Sequence, residues 1–178
     1  MLKSFSKLFL LSLIILTVNN CSDDSPKNSD KVVPKDNSEA KKQDKTKKTT
    51  TKVLDFTTIV EFLKPKNETV QILASLAKTP EDRNAGLMGV ENLKKNHGML
   101  FVFEQNQPLS FWMANTPLSL DIIFVNADYK IVRIHSNTEP FSTKQYESGV
   151  NAKYVIETIG GFCIENDILE GTIVGFDI

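Results

Sequence analysis

The chain has 178 residues, with 21 lysines and arginines against 22 aspartates and glutamates, and a formal net charge of −1. A balance this close to zero leaves no electrostatic footprint for a nucleic-acid partner. The two cysteines, Cys21 and Cys163, are too few for a disulfide framework, so an exported domain here must stand on its hydrophobic core.

Lys3 and Lys7 form a positive start, and residues 8–18 form an apolar run too short to span a bilayer comfortably. Cys21 follows directly after Val18-Asn19-Asn20. The pattern resembles a bacterial lipoprotein signal, cut before the cysteine and lipidated on its thiol; an ordinary secretory signal with an incidental Cys21 is the alternative. The lipoprotein reading makes residues 1–20 a signal peptide and places the protein on a membrane of the bacterial cell envelope through the lipid on Cys21. Residues 22–51 contain no aromatic side chain and only Val32, Val33 and Ala40 as aliphatic content. Such a stretch cannot bury enough surface to offset its ordering entropy, which predicts a disordered tether over 21–52. Its lysines could also grip anionic lipid or polysaccharide, but interleaved acidic residues and missing aromatics favour a solvated spacer.

The remainder, residues 53–178, is long enough for one core and too short for two. Residues 53–64 are ambiguous, since Phe56, Ile59, Val60 and Leu63 recur at helical spacing while Thr57-Thr58 and Pro65 oppose a helix. Residues 69–77 alternate as a strand. Thr79-Pro80-Glu81-Asp82 then reads as a helix start, with a hydroxyl cap, proline at the first position and two carboxylates at the positive end of the dipole; the helix is predicted to end near Gly89. Strands are predicted over 99–103, 109–113, 120–125, 130–135, 153–158 and 172–176, with a turn at 126–129 and a polar loop over 139–149. Gly160-Gly161 breaks the chain before a brief helical turn. The expected fold is mainly β: a single compact β-sandwich or partly closed, jelly-roll-like barrel with one or two short helices. Within 98–125 the apolar runs lie so close in sequence that they are expected to pair as a meander.

Asn115, Thr116 and Asp121 form a polar island among Phe111, Trp112, Met113 and Ile122, and buried polar groups must find partners. The chain is similar to the domain-of-unknown-function 192 family. The similarity rests on Arg83-x-x-Gly86-Leu87-Met88, the run from Gly98 to Phe103, Phe111-Trp112-Met113-Ala114-Asn115-Thr116 leading to Leu120-Asp121-Ile122-Ile123-Phe124, and Tyr154-Val155-Ile156-Glu157 with Gly161 after it. It spans residues 69–176. The resemblance implies a small, mostly β domain, often exported or membrane-anchored, with no established activity. Ala114, Ser119 and Val90 depart from the family pattern, which bears on any rim of charge.

Strand alternation sets Asp121 on one face with Ile123 and Val125, opposite Leu120, Ile122 and Phe124. A carboxylate there wants a cationic or hydrogen-bonding partner, and Arg83 is the best-placed candidate. Two readings stay open: a pocket in which Arg83, Asn115 and Asp121 orient a ligand among Met88, Phe111 and Met113, or an Arg83–Asp121 ion pair that pins the helix to the sheet. Met88, Met99, Met113, Phe111 and Trp112 read first as core. His97 and His135 are isolated, Cys163 sits among apolar neighbours, and no phosphate loop, serine elbow or acidic cluster occurs, so no cofactor or metal is expected. The favoured function is a non-enzymatic envelope module that binds a small ligand, a glycan or another envelope protein. A hydrolase or lyase using Asp121 and Arg83, and a structural accessory without a pocket, are the alternatives.

Overall fold

The computed structural model describes residues 53–178. The expectations for Cys21, the signal and the tether lie outside them. Seven strands, β1 (Phe56–Leu63), β2 (Thr69–Ala77), β3 (His97–Phe111), β4 (Leu120–Val125), β5 (Ile131–His135), β6 (Tyr146–Ile159) and β7 (Ile173–Phe176), form one sheet. Its order is β5-β4-β6-β3-β2-β1-β7. Two short helices, α1 (Pro80–Ala85) and α2 (Phe162–Glu165), complete the domain. The segment with ambiguous periodicity is thus the strand β1, where Val60 and Phe62 turn inward.

The outer strands of the sheet, β5 and β7, meet at one end. Lys130 bridges Ile173, the Ile131 amide donates to the Thr172 carbonyl at 2.9 Å, and the Val174 amide donates to the Tyr129 carbonyl at 2.8 Å. The sheet therefore curls into a partly closed barrel, which covers backbone groups that free edges would expose. The predicted turn before β5 forms as expected: the Asn126 side chain accepts from the amides of Asp128 and Lys130, each at 3.0 Å. Inside the barrel Val60, Phe62, Ile72, Leu100, Ile123, Ile156 and Val174 pack together, and α2 adds Phe162 and Cys163.

The expected meander in 98–125 does not form. β3 and β4 are separated by β6, which pairs antiparallel with both. The reason lies in the faces of β6. Tyr154 and Ile156 belong to the barrel core, whereas Ala152 and Val155 belong to a second core on the outside of the sheet. A strand apolar on both faces is buried on both, and that requires an interior position. The two runs at 99–103 and 109–113 are also one long strand, β3, whose ladder with β6 shifts register between Val102 and Gln107.

β2 and β3 run parallel. Parallel neighbours cannot be joined by a tight hairpin and need a crossover, which here spans residues 78–96. α1 opens that crossover as the sequence predicts, with the Thr79 hydroxyl accepting from the Asp82 amide at 3.1 Å and Pro80 in the first turn. The helix stops earlier than Gly89, at Ala85, because Gly86 takes φ +41° and donates its amide back to the Asp82 carbonyl. Leu87 and Val90 then fold onto the outer face of the sheet over Met99, Phe101, Ile122 and Phe124. This covering layer makes the second core and shapes the site.

Candidate functional site

A cleft of about 400 Å³ opens where the crossover lies against β3 and β6. Arg83, Gly86, Leu87 and Met88 form one wall. Phe101, Phe103, Ser110 and Phe111 of β3 form the other, Trp112 and Gln145 stand at the mouth, and Glu157 of β6 closes the floor. Phe111 is held by three rings at once, with centroids 5.0 Å from Phe101, 6.2 Å from Phe103 and 5.8 Å from Phe124, all edge to face. Trp112 lies just past the strand end and is 52% exposed, so it is not the core residue its neighbours suggest.

Arg83 is built into the wall. Its Nη1 donates to the Val102 carbonyl at 3.0 Å and to the Lys78 carbonyl, and its Cζ sits 4.9 Å from the Phe103 ring centroid. A guanidinium has five N–H donors, so two carbonyls tether it without exhausting it. Glu157 is 4% exposed, beside Met99 and Ile122 on neighbouring strands. Among the described residues it is the single carboxylate on the cleft lining, as Arg83 is the single cation.

Asp121 is elsewhere. It is fully buried and faces the barrel side with Ile123 and Val125, as alternation predicted. Its partners are backbone amides and not Arg83, and it does not line the cleft that Arg83 walls. Oδ1 accepts from the amides of Asn137 at 2.8 Å and Gly161 at 2.9 Å, while Oδ2 accepts from the Cys163 amide at 2.8 Å. Three backbone donors satisfy an isolated carboxylate where burial would otherwise be costly. The Gly160-Gly161 break was the only sequence signal for them: Gly161 takes φ +88° and turns its own amide and that of Cys163 toward Asp121. Burial pushes the Cys163 thiol well above its ordinary range, and the neighbouring Asp121 charge and hydrogen bond push it further.

Of the residues singled out from sequence, the structure brings Arg83, Met88 and Phe111 together on the cleft. Met113 is fully buried in the outer core, and Asn115 is exposed at φ +56° with its carbonyl accepting from the Gly89 amide at 2.8 Å. Glu157 was missed as a site residue. Its signals are a carboxylate directly after the apolar Tyr154-Val155-Ile156 and its place at the end of that family motif. Among the described residues no three His, Cys, Asp or Glu side chains cluster as metal ligands do, and no helix is long and apolar enough to cross a membrane.

A seven-stranded, partly closed barrel carrying a crossover-walled cleft defines the class. Residues 62–176 match DUF192, described as an uncharacterized ACR, and the chain belongs to that family. It is similar in structure to a protein proposed as a transcription regulator from Sinorhizobium meliloti 1021, with TM-score 0.67 and 29% identity over 70% of this chain and 98% of that one. It is also similar to a protein of unknown function from Novosphingobium aromaticivorans DSM 12444, with TM-score 0.63 and 28% identity over 66% of this chain and 83% of that one. No curated protein matches the chain.

Proposed function

We propose that this is a lipid-anchored protein of the bacterial cell envelope whose β domain is a non-enzymatic module for a small ligand. The cleft carries the reading: aromatic walls, a guanidinium fixed in place and a buried carboxylate at the floor are the composition of a preformed ligand site. A hydrolase or lyase built on Asp121 and Arg83 is disfavoured, because Asp121 accepts from three backbone amides and faces the barrel side. The anchor rests on the order of Lys3, Lys7, the apolar run and Cys21.

Trp112 is the only tryptophan in the chain and stands at the cleft mouth, so its fluorescence reports occupancy directly. A small-molecule library screened against the full chain by Trp112 emission and thermal shift is expected to give ligands that move both. A library that moves neither would support the structural accessory instead. For the anchor, protein extracted from membranes is expected to have an acylated N-terminus at Cys21 by intact mass, and a soluble mature form that begins elsewhere removes that part of the reading.

A further inference from the structure

We propose, resting on the ligand-binding reading above, that the cleft receives short free peptides of two or three residues with an apolar side chain. The ammonium end would lie at Glu157 and the carboxylate end at Arg83. The lining carries one guanidinium, Arg83, and one carboxyl group, Glu157. Glu157 pairs with Met99 in the β3–β6 ladder, whereas Arg83 lies over Phe103, four positions further along β3. At the rise of a strand this sets the two anchoring positions along β3 about 13 Å apart. An extended chain of two or three residues, with a hydrogen bond of about 2.8 Å to the anchor at each end, spans roughly that distance. A single amino acid, whose charged groups are only a few ångströms apart, cannot reach both.

The wall between the charges fits such a ligand. Phe101, Phe103 and Phe111 make it apolar, which suits a buried aliphatic side chain rather than a run of hydroxyls. These rings meet edge to face, at interplanar angles of 89° and 74°, and so present no stacked flat platform for a sugar ring. Ser110 Oγ donates to Gln145 Oε1 at 2.6 Å, which holds the Gln145 amide with its N–H groups available to a peptide carbonyl. Arg83 keeps donors beyond the two carbonyls that position it, and a guanidinium matches a carboxylate in geometry and charge. A carboxylate has about four acceptor positions, so contacts of Glu157 within the protein are compatible with receiving an ammonium group as well.

The test titrates the full chain in detergent with Ala-Leu-Ala, its N-acetyl form, its C-terminal amide and an uncharged disaccharide, following Trp112 emission and heat. The free tripeptide is expected to bind, and each blocked form at least tenfold more weakly. Glu157→Gln should abolish the difference between free and acetylated peptide, and Arg83→Gln the difference between acid and amide. The chemical blocks act on the ligand alone, so the result stands even if a variant folds poorly. Equal binding of all three peptides, or binding of the disaccharide alone, overturns the peptide assignment and leaves a small-ligand site. Silence toward every peptide, with hits from the wider library, also overturns the assignment alone; silence toward both overturns the ligand-binding reading with it.

Discussion

The carboxylate of Asp121 accepts the backbone amide of Cys163 at 2.8 Å, across 42 residues of chain. The same side chain takes the amides of Asn137 and Gly161, so it ties the turn after β5 and the start of α2 to β4. Asp121→Asn replaces an acceptor pair by one acceptor and an N–H group that faces amide donors. At least one buried amide then loses its partner, with an expected loss of about 2–4 kcal/mol. Urea unfolding measures it. Because Asp121 faces the barrel and not the cleft, ligand affinity of the folded variant should stay within about twofold. A folded variant that loses its ligand would place Asp121 in the site after all.

Stability should fall on the alkaline side. Burial pushes Cys163 upward, with Asp121 adding to it, and burial pushes the Tyr154 phenol up to about 12, with a hydrogen bond and charge from Tyr129 adding to it. In both cases the folded state holds its proton more tightly than the unfolded chain. The stabilisation is therefore complete below the unfolded values, about 8.5 for a thiol and about 10 for a phenol, and is lost as pH rises through and beyond them. The slope approaches about 1.4 kcal/mol per pH unit for each group fully displaced. Thermal melts between pH 7 and 11 should stay flat to about pH 8, decline from about 9 and steepen above 10. Cys163→Ala should remove the earlier decline and keep the later one; an unchanged onset would show that the thiol is not its source.

Thr158 carries the one buried side-chain polar atom without a hydrogen-bond partner among the described residues, its Oγ1. It lies beside Asp121 in the β4–β6 ladder and is fully buried. A hydroxyl desolvated without a partner costs free energy that an isosteric methyl does not. Thr158→Val is therefore expected to raise stability by about 1 kcal/mol. Loss of stability instead would mean that the hydroxyl has a partner, such as a bound water.

Much of this fold is legible from residues alone. The Thr79 cap, the turn at Asn126, the two faces of β4 and the barrel class all follow from local chemistry and period. Which segments meet is not legible in the same way. Proximity in sequence favoured pairing β3 with β4, but the two-sided apolar character of β6 decided the matter. Arg83 seemed the partner of Asp121 because it is a side chain with a visible charge, whereas the true partners are backbone amides, which every residue but proline has. Glu157 shares a face with Val155 that would meet solvent in a simple barrel. Only the parallel pairing of β2 and β3, and the crossover it demands, covers that face and makes a cleft.

Two glycines connect the fold to that cleft, and they should fail differently when enlarged. A Cβ on Gly98 would lie 2.5 Å from the Glu157 carbonyl oxygen and 2.9 Å from Ile72 Cδ1. Backbone must yield, so β3 and β6 part locally at an expected cost of about 1–3 kcal/mol. The backbone that moves is that of Glu157 itself, so Gly98→Ala should weaken any ligand that depends on the cleft floor. A Cβ on Gly86 would meet the Phe101 ring at 3.5 Å and the Arg83 carbonyl oxygen at 3.7 Å, both ordinary contacts, but φ is +41° there and ψ −136°, a region that side chains avoid. Gly86→Ala should therefore cost about 1–3 kcal/mol through backbone strain. Its disturbance falls on the Met88 wall and not on Glu157. Urea unfolding and ligand titration of both variants separate the two. If Gly98→Ala binds as tightly as the unaltered protein while Gly86→Ala does not, the cleft floor contributes little and recognition belongs to the crossover wall.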